Sequence, residues 1–144
     1  SGMFYEGTAS GMSSPLAAGK LARLAGADIV MVNTPYGGYP LRYQKYMQTL
    51  AQLTLPWYDL KPSMPSIGGG VHPGMVEKYM HQAGNDIVLA AGGAVQGHPM
   101  GARAGARAMR QAIEIVMEGR DFAEASGEKE ELSAALRQWE YIKG

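Results

Sequence analysis

Short apolar runs and helix-like segments alternate along this chain of 144 residues, and this alternation restricts its fold more than any other feature. Each apolar run has the length and composition of a β-strand, and a segment with helical spacing of apolar residues follows each. The four predicted strands are Met3–Tyr5, Ala27–Val32, Met64–Ile67 and Asp86–Ala91. The second of them is mostly apolar, as in a strand buried on both faces of a parallel sheet. No hairpin signal joins the runs, so we predict parallel strands with right-handed crossovers, in an open doubly wound sheet or in part of a (β/α)8 barrel.

Four β/α units amount to half of a barrel, because a whole barrel has eight such units and about 250 residues. The predicted helices are Pro15–Ala25, Leu41–Leu53, Pro73–Ala83, Ala102–Glu118 and Glu130–Ile142. We therefore predict an α/β fold in which residues 3–121 form half of a TIM barrel and residues 122–144 form a C-terminal helical tail. Ser1 and Gly2, which precede Met3, are typical of a remnant left by cloning.

Composition excludes several classes of function. The chain has 13 basic and 13 acidic side chains and therefore no net charge, which argues against a nucleic-acid partner. No apolar run approaches the roughly 18 residues that a membrane span needs, and no signal-peptide pattern opens the chain. Cysteine is absent from the sequence, which excludes disulfides and thiolate chemistry and favours a cytoplasmic location.

Glycine is concentrated at the ends of two consecutive predicted strands. Gly68, Gly69 and Gly70 follow one strand, and Gly92 and Gly93 follow the next. Active sites of barrels lie at this end of the strands, and the backbone N–H groups of glycine-rich loops are good ligands for phosphate. The alternative is that these glycines only relieve crowding between strand and helix. No GxGxxG or GxxxxGK[ST] motif occurs at such a junction, which disfavours nucleotide binding by a small doubly wound domain.

Polar side chains near the same strand ends are further candidates for a substrate pocket. Asn33 and Thr34 follow the second strand, and His72 and His98 each follow a glycine-rich exit. The two histidines could share a metal ion, but no third ligand occurs at a suitable spacing. Histidines that hydrogen-bond within their loops and fix the turns are the commoner arrangement.

Several segments of the chain carry a family resemblance. Pro65–His72, Gly84–Leu89 and Gly92–Gly101 resemble the end of the large subunit of ribulose-bisphosphate carboxylase (RuBisCO). Residues 104–121 and 19–28 extend the likeness, so that it covers nearly the whole chain. The resemblance implies strands 5–8 with their helices, which form the C-terminal half of that family's barrel domain.

The same resemblance assigns a role to the glycines at the strand ends. It implies that one phosphate of the substrate is held by backbone groups at four positions, Gly69, Gly70, Gly92 and Gly93. Gly68 then belongs to the substrate pocket, together with the polar candidates at the strand ends. No catalytic residue and no metal ligand is predicted within this chain.

Departures from the family pattern point away from carboxylation. Carboxylases bind a second phosphate with an arginine and a histidine after strand 5, and neither residue occurs in Gly7–Gly11. Met31 occupies the place of a histidine on strand 6, and Gly68 occupies that of a serine on strand 7. The loop Tyr36–Pro40 lacks the lysine that steadies the added carboxylate. The chain is therefore most similar to the RuBisCO-like proteins of type IV, which do not carboxylate, and the resemblance implies a substrate with one phosphate.

The resemblance implies a fragment of a RuBisCO-like protein that acts on a sugar phosphate through enolisation, as an enolase, an isomerase or a decarboxylase of the lyase class. In that family the Mg²⁺ ligands and the proton-abstracting lysine come from earlier strands. We therefore expect Mg²⁺ in a full-length parent, and no turnover by this polypeptide alone. The expected partners are the substrate and either the N-terminal half of the barrel or a second copy of the chain, in a homo-oligomer. The alternatives are a fragment of a genuine carboxylase and a non-catalytic half-barrel that self-associates.

Overall fold

The computed structural model describes residue 9 and residues 11–144, and the chain divides into two compact units. The first unit holds Ser1–Gly69 with Asp86–Leu89, and the second holds Gly70–Asn85 with Ala90–Gly144. The predicted strand Met3–Tyr5 lies outside the described residues. The strand Met3–Tyr5, and with it the half-barrel of four β/α units, therefore stays a prediction.

A three-stranded sheet is the basis of the first unit. Its strands are β1 (Ile29–Asn33), β2 (Met64–Gly68) and β3 (Val88–Ala90, of which Val88 and Leu89 belong to this unit), and they are hydrogen-bonded in that order. The first two run parallel, with Ile29 beside Met64 and Asn33 beside Gly68. The carboxyl ends of β1 and β2 therefore meet at one edge of the sheet, which confirms the parallel pairing predicted for these strands.

Two helical segments pack in the first unit. The first, α1, is a π-helix over Pro15–Leu21 and continues as a short α-helix over Ala22–Leu24. Its wide turns differ from the predicted α-helix, because apolar spacing over seven residues does not distinguish the two. The second, α2 (Tyr43–Thr54), packs on β1 and β2. Its buried residues fall at intervals of three and four, as on one helical face: Tyr46, Thr49, Leu50 and Leu53.

The two faces of the sheet differ in burial. Val32 and Ile67 are 2% and 0% exposed on the side that α2 covers. On the other side Ile29 and Met31 are exposed by 59% and 57%, and Met64 beside them by 40%. The prediction that the strand Ala27–Val32 is buried on both faces is therefore wrong for the described residues, since Val32 is the only buried residue of β1.

The second unit is helical and is arranged around its longest helix. In chain order its helices are α3 (Val76–Ala83), which follows a 3₁₀ turn over Pro73–Met75, then α4 (Gly92–Gln96), α5 (Ala102–Met117), α6 (Phe122–Ser126) and α7 (Glu130–Trp139). The central helix α5 contacts the other four. Its buried side is rich in small residues: Ala104, Gly105, Ala108, Met109, Ala112 and Ile115. A side chain at Gly105 would collide with the backbone of Val95, so glycine allows α4 to lie directly on α5.

The segment after α7 is tied back onto the second unit. The Tyr141 ring stacks on Phe122 with 4.9 Å between ring centroids, and its hydroxyl donates a hydrogen bond to Glu77. Burial and this carboxylate both raise the pKa of the Tyr141 hydroxyl. The Ile142 N–H donates to the Gly74 carbonyl at 3.0 Å, and the backbone of Glu140 leaves no room for a side chain at Gly74. In the part of the chain that the structure describes, no helix is both long enough and apolar enough to cross a bilayer.

Candidate functional site

Thr34 links the ends of β1 and β2. Its side chain is fully buried, and its hydroxyl donates to the Gly69 carbonyl at 2.6 Å and accepts from the Tyr36 N–H at 3.1 Å. Its own N–H donates to the Gly68 carbonyl at 3.1 Å. The predicted pocket residue Thr34 is therefore placed at the strand ends, but its hydroxyl holds backbone groups. Asn33, the last residue of β1, is half-buried beside Gly68.

A close approach of two glycines was missed by the sequence reasoning. A Cβ built on Gly37 would lie 2.6 Å from the carbonyl carbon of Gly69, so only glycine lets the loop after β1 lie on the end of β2. The only hint of this approach in the sequence is the pair Gly37 and Gly38 in a short loop, and such a pair is equally typical of an ordinary turn.

Gly69 and Gly70 have a conformational reason to be glycine. Their φ angles are +94° and +72°, a region that other residues rarely adopt. Neither of their N–H groups donates to a backbone carbonyl of a described residue. The strand therefore ends in two N–H donors that have no backbone acceptor in the described part of the chain, on a backbone path that only glycine takes easily.

At Gly92 and Gly93, neither backbone conformation nor packing requires glycine. A Cβ on either residue would meet no heavy atom of a described residue within 4 Å, and neither has a φ angle in the left-handed region. They are the first residues of α4, so their N–H groups have no acceptor one turn earlier in the helix. No described backbone carbonyl accepts from them. Relief of crowding does not explain these two glycines, and their backbone is open to a ligand.

Gly68 is different, because crowding accounts for it. A Cβ at this position would lie 2.5 Å from the Met31 sulfur. Met31 and Gly68 are the two departures from the carboxylase pattern on these strands, and the structure shows that they are physically coupled. The thioether of Met31 fills the space into which a serine side chain at residue 68 would project.

The imidazole of His98 is hydrogen-bonded within the protein and fixes its loop, as in the commoner arrangement described above. It is 4% exposed, its Nε2 lies 2.9 Å from the Glu131 carbonyl, and its Nδ1 accepts from the Met100 N–H at 3.1 Å. Because Nδ1 is an acceptor, the ring carries its proton on Nε2 and donates it to Glu131. Both nitrogens are used within the second unit, so His98 is not available as a substrate or metal ligand.

His72 lies against an aromatic ring. Its imidazole stacks on Trp139 with 6.2 Å between centroids, and its buried Nδ1 has no hydrogen-bond partner among the described residues. Burial lowers the pKa of His72 below its usual value of 6.5. No group of three or more His, Cys, Asp or Glu among the described residues could hold a metal ion.

The lowered pKa of His72 makes the stability of the chain depend on pH. The neutral imidazole is favoured in the folded state, so its contribution is fully present above pH 6.5 and is lost as the pH falls below that value. We expect the free energy of unfolding, measured by urea denaturation, to fall between pH 7 and pH 5, and to fall less in the variant His72→Gln. His81→Gln serves as the control, because His81 is exposed. An equal fall in wild type and His72→Gln would contradict this assignment.

Comparison with solved structures defines the class of protein. The chain is similar to a RuBisCO-like protein (MtnW) from Alicyclobacillus acidocaldarius, with a TM-score of 0.89 and 36% identity over 96% of this chain and 34% of that one. It is also similar to the octameric RuBisCO of Pyrococcus horikoshii, with a TM-score of 0.86 and 34% identity over 95% of this chain and 33% of that one. The fold is thus an α/β fold of the RuBisCO type.

Sequence comparison then gives the family. The family described as ribulose bisphosphate carboxylase large chain, catalytic domain, matches residues 2–139, and the chain belongs to that family. A RuBisCO-like protein of Archaeoglobus fulgidus is 45% identical over 137 residues, which are 92% of this chain and 31% of that protein. The 2,3-diketo-5-methylthiopentyl-1-phosphate enolase of Exiguobacterium sibiricum is 36% identical over 143 residues, 99% of this chain and 36% of that protein. The predicted resemblance is confirmed, and the chain spans about a third of the length of these relatives.

Proposed function

We propose that this chain supplies the phosphate-binding backbone of a RuBisCO-like protein that enolises a sugar phosphate. The observation that carries the proposal is the open backbone at Gly92 and Gly93, where glycine serves neither packing nor conformation and the N–H groups are unpaired among the described residues. Gly70, in the same unit, offers a further unpaired N–H. Unpaired N–H groups of successive glycines are typical ligands for a phosphate dianion. Gly69 stays a predicted phosphate-binding position.

The proposed substrate carries one phosphate. The stretch Gly7–Gly11 has neither the arginine nor the histidine with which carboxylases hold a second phosphate. The relative from Exiguobacterium sibiricum is named for a substrate with a single phosphate and aligns with 99% of this chain. Both observations support a sugar monophosphate over a bisphosphate.

Two features support enolisation without carboxylation. The Met31 thioether occupies the space above Gly68, so an apolar group stands where the carboxylases of the family have a polar one. The loop Tyr36–Pro40 has no lysine to neutralise a newly formed carboxylate. An enolase-type or isomerase-type reaction needs no such lysine, because it adds no CO₂. A decarboxylase of the same family is the nearest alternative reaction.

Magnesium belongs to the proposed full-length parent and not to the chemistry of this chain. The described residues offer no cluster of three or more His, Cys, Asp or Glu for a metal ion, and so they do not fit one. The contribution of this chain is to bind and orient the phosphate end of the substrate.

A second candidate, self-association without catalysis, is supported by the open face of the sheet. Ile29, Met31 and Met64 form an exposed apolar strip on adjacent strands, and such strips are typical of surfaces that pack against another chain or segment. Within the enolase proposal, the N-terminal half of the barrel covers this strip. Within the second candidate, another copy of the chain covers it.

Phosphate titration of the ¹⁵N-labelled chain tests the proposal. We expect the amide signals of Gly70, Gly92 and Gly93 to shift together and to saturate with inorganic phosphate, and also with ribulose 5-phosphate. Sodium chloride at equal ionic strength is the control, because chloride screens charges without fitting a phosphate site. Shifts spread over exposed lysines and arginines, with none at the glycines, would contradict the proposal. A stable dimer in light scattering that does not respond to phosphate would favour the second candidate.

A further inference from the structure

We infer that Thr34 is a positioning residue for the proposed phosphate site, because its hydroxyl fixes the direction of the peptide that carries the Gly70 N–H. The inference rests on the proposed function and adds to it a side chain that touches no phosphate itself. It assigns to Thr34 a role other than that of a pocket residue in contact with substrate.

Every polar atom of Thr34 forms a hydrogen bond. Its hydroxyl has one proton, which it donates to the Gly69 carbonyl at 2.6 Å, while the oxygen accepts from the Tyr36 N–H at 3.1 Å. Its backbone N–H donates to the Gly68 carbonyl, and its backbone carbonyl accepts from the Leu41 N–H, both at 3.1 Å. With its side chain fully buried, Thr34 is a fixed point at the edge of the sheet.

The Gly69 carbonyl and the Gly70 N–H belong to one peptide group. That group is planar and trans, so the two point in opposite directions. The Thr34 hydroxyl holds the carbonyl on its own side, and the Gly70 N–H therefore points away from Thr34. A phosphate approaching from that side meets a donor.

Without this hydrogen bond the peptide would turn over easily. A peptide flip changes ψ of the first residue and φ of the second, and glycine tolerates both signs of φ at little cost. Gly69 and Gly70 both already have positive φ. A flipped peptide would present its carbonyl oxygen to the phosphate, and two acceptors repel each other. The hydrogen bond from Thr34 selects the orientation that binds.

Gly37 supports the same arrangement. Its lack of a side chain allows the loop after β1 to lie against the Gly69 carbonyl carbon, where a Cβ would come within 2.6 Å. The loop that carries Thr34 and Tyr36 is thereby kept in contact with the peptide that Thr34 orients.

The variants Thr34→Val and Thr34→Ser distinguish the effect of the hydroxyl on phosphate binding from the effect of side-chain shape. Valine keeps the shape and loses the hydroxyl, whereas serine keeps the hydroxyl. We expect inorganic phosphate to bind Thr34→Val about tenfold more weakly than the unsubstituted chain, as for the loss of one orienting hydrogen bond. Thr34→Ser should bind within about threefold of the unsubstituted chain, since it retains the donor. The amide signal of Gly70 should broaden or split in Thr34→Val alone.

Each outcome bears on the inference. Unchanged phosphate affinity in Thr34→Val would overturn it and leave the proposed site standing. Equal weakening in Thr34→Val and Thr34→Ser would overturn it too, because the hydroxyl would not be the cause. An unsubstituted chain that binds no phosphate would overturn the site and the inference together. Thermal unfolding shows whether each variant is folded, and Thr34→Ala replaces Thr34→Val in the comparison if valine prevents folding.

Discussion

Replacement of Arg23 by methionine is expected to lower the free energy of unfolding of the first unit by about 3 kcal/mol, since the hydrogen bonds of this buried cation to four backbone carbonyls are lost together. Arg23 is 3% exposed, although arginine is almost never buried without partners. Among the described residues its guanidinium donates only to backbone carbonyls: Lys61 at 2.8 Å, Leu55 and Leu60 at 2.6 Å, and Gln52 at 3.4 Å. Methionine would fill the volume and satisfy none of them.

The carbonyls that Arg23 binds lie at the end of α2 and in the segment that leads to β2. The carbonyls in the last turn of a helix lack intrahelical N–H donors, and a cation there is favoured by the helix dipole. The Trp57 ring covers this cluster, with the Arg23 guanidinium 6.0 Å and the Lys20 ammonium 5.0 Å from its centre. Arg23 thus joins α1 to the segment that sets the start of β2.

Urea denaturation of Arg23→Met and Arg23→Lys measures this contribution. Lysine should recover only part of the loss, because an ammonium group cannot reproduce the fork of guanidinium donors. The matched control is Arg103→Met, an exposed position on α5, where we expect a change within about 0.5 kcal/mol. A loss below about 1 kcal/mol in Arg23→Met would contradict the role assigned to its hydrogen bonds.

The elements that sequence predicts best are those with a clear apolar period. The helix predicted over Leu41–Leu53 is found at Tyr43–Thr54, and the strand predicted over Met64–Ile67 is found at Met64–Gly68. The glycine-rich exits were located correctly, because two adjacent glycines after an apolar run are a strong local signal.

Sequence could not reveal the features that depend on distant contacts. Arg23 follows Leu21 and Ala22 in a segment that is typical of an exposed helix, and only its partners 29 to 38 residues away explain its burial. The helix α4 was not predicted, because it begins with two glycines, which are poor helix formers. The coupling of Met31 to Gly68 required the register of two strands, which no local pattern contains.

Gly93→Val is expected to abolish phosphate binding while leaving the fold intact. A Cβ at Gly93 would meet no heavy atom within 4 Å, and the φ angle there is not left-handed, so valine fits without a clash among the described residues. Valine is also the better helix former by several tenths of a kcal/mol, so the stability of α4 should not fall. Two methyl groups would instead project into the space where a phosphate must approach the N–H groups of Gly92 and Gly93.

The matched control for Gly93→Val is Gly127→Val, because Gly127 has an ordinary φ of −65° and its added Cβ would lie 3.4 Å from the Glu124 carbonyl oxygen, near ordinary contact distance. Phosphate affinity should be lost in Gly93→Val and kept in Gly127→Val, with similar thermal unfolding of both variants. Unchanged binding in Gly93→Val would refute the site, because no other property of the described structure calls for glycine at that position. Loss of binding in a folded Gly93→Val, by contrast, would leave contact with a ligand as the reason that this strand ends in bare backbone.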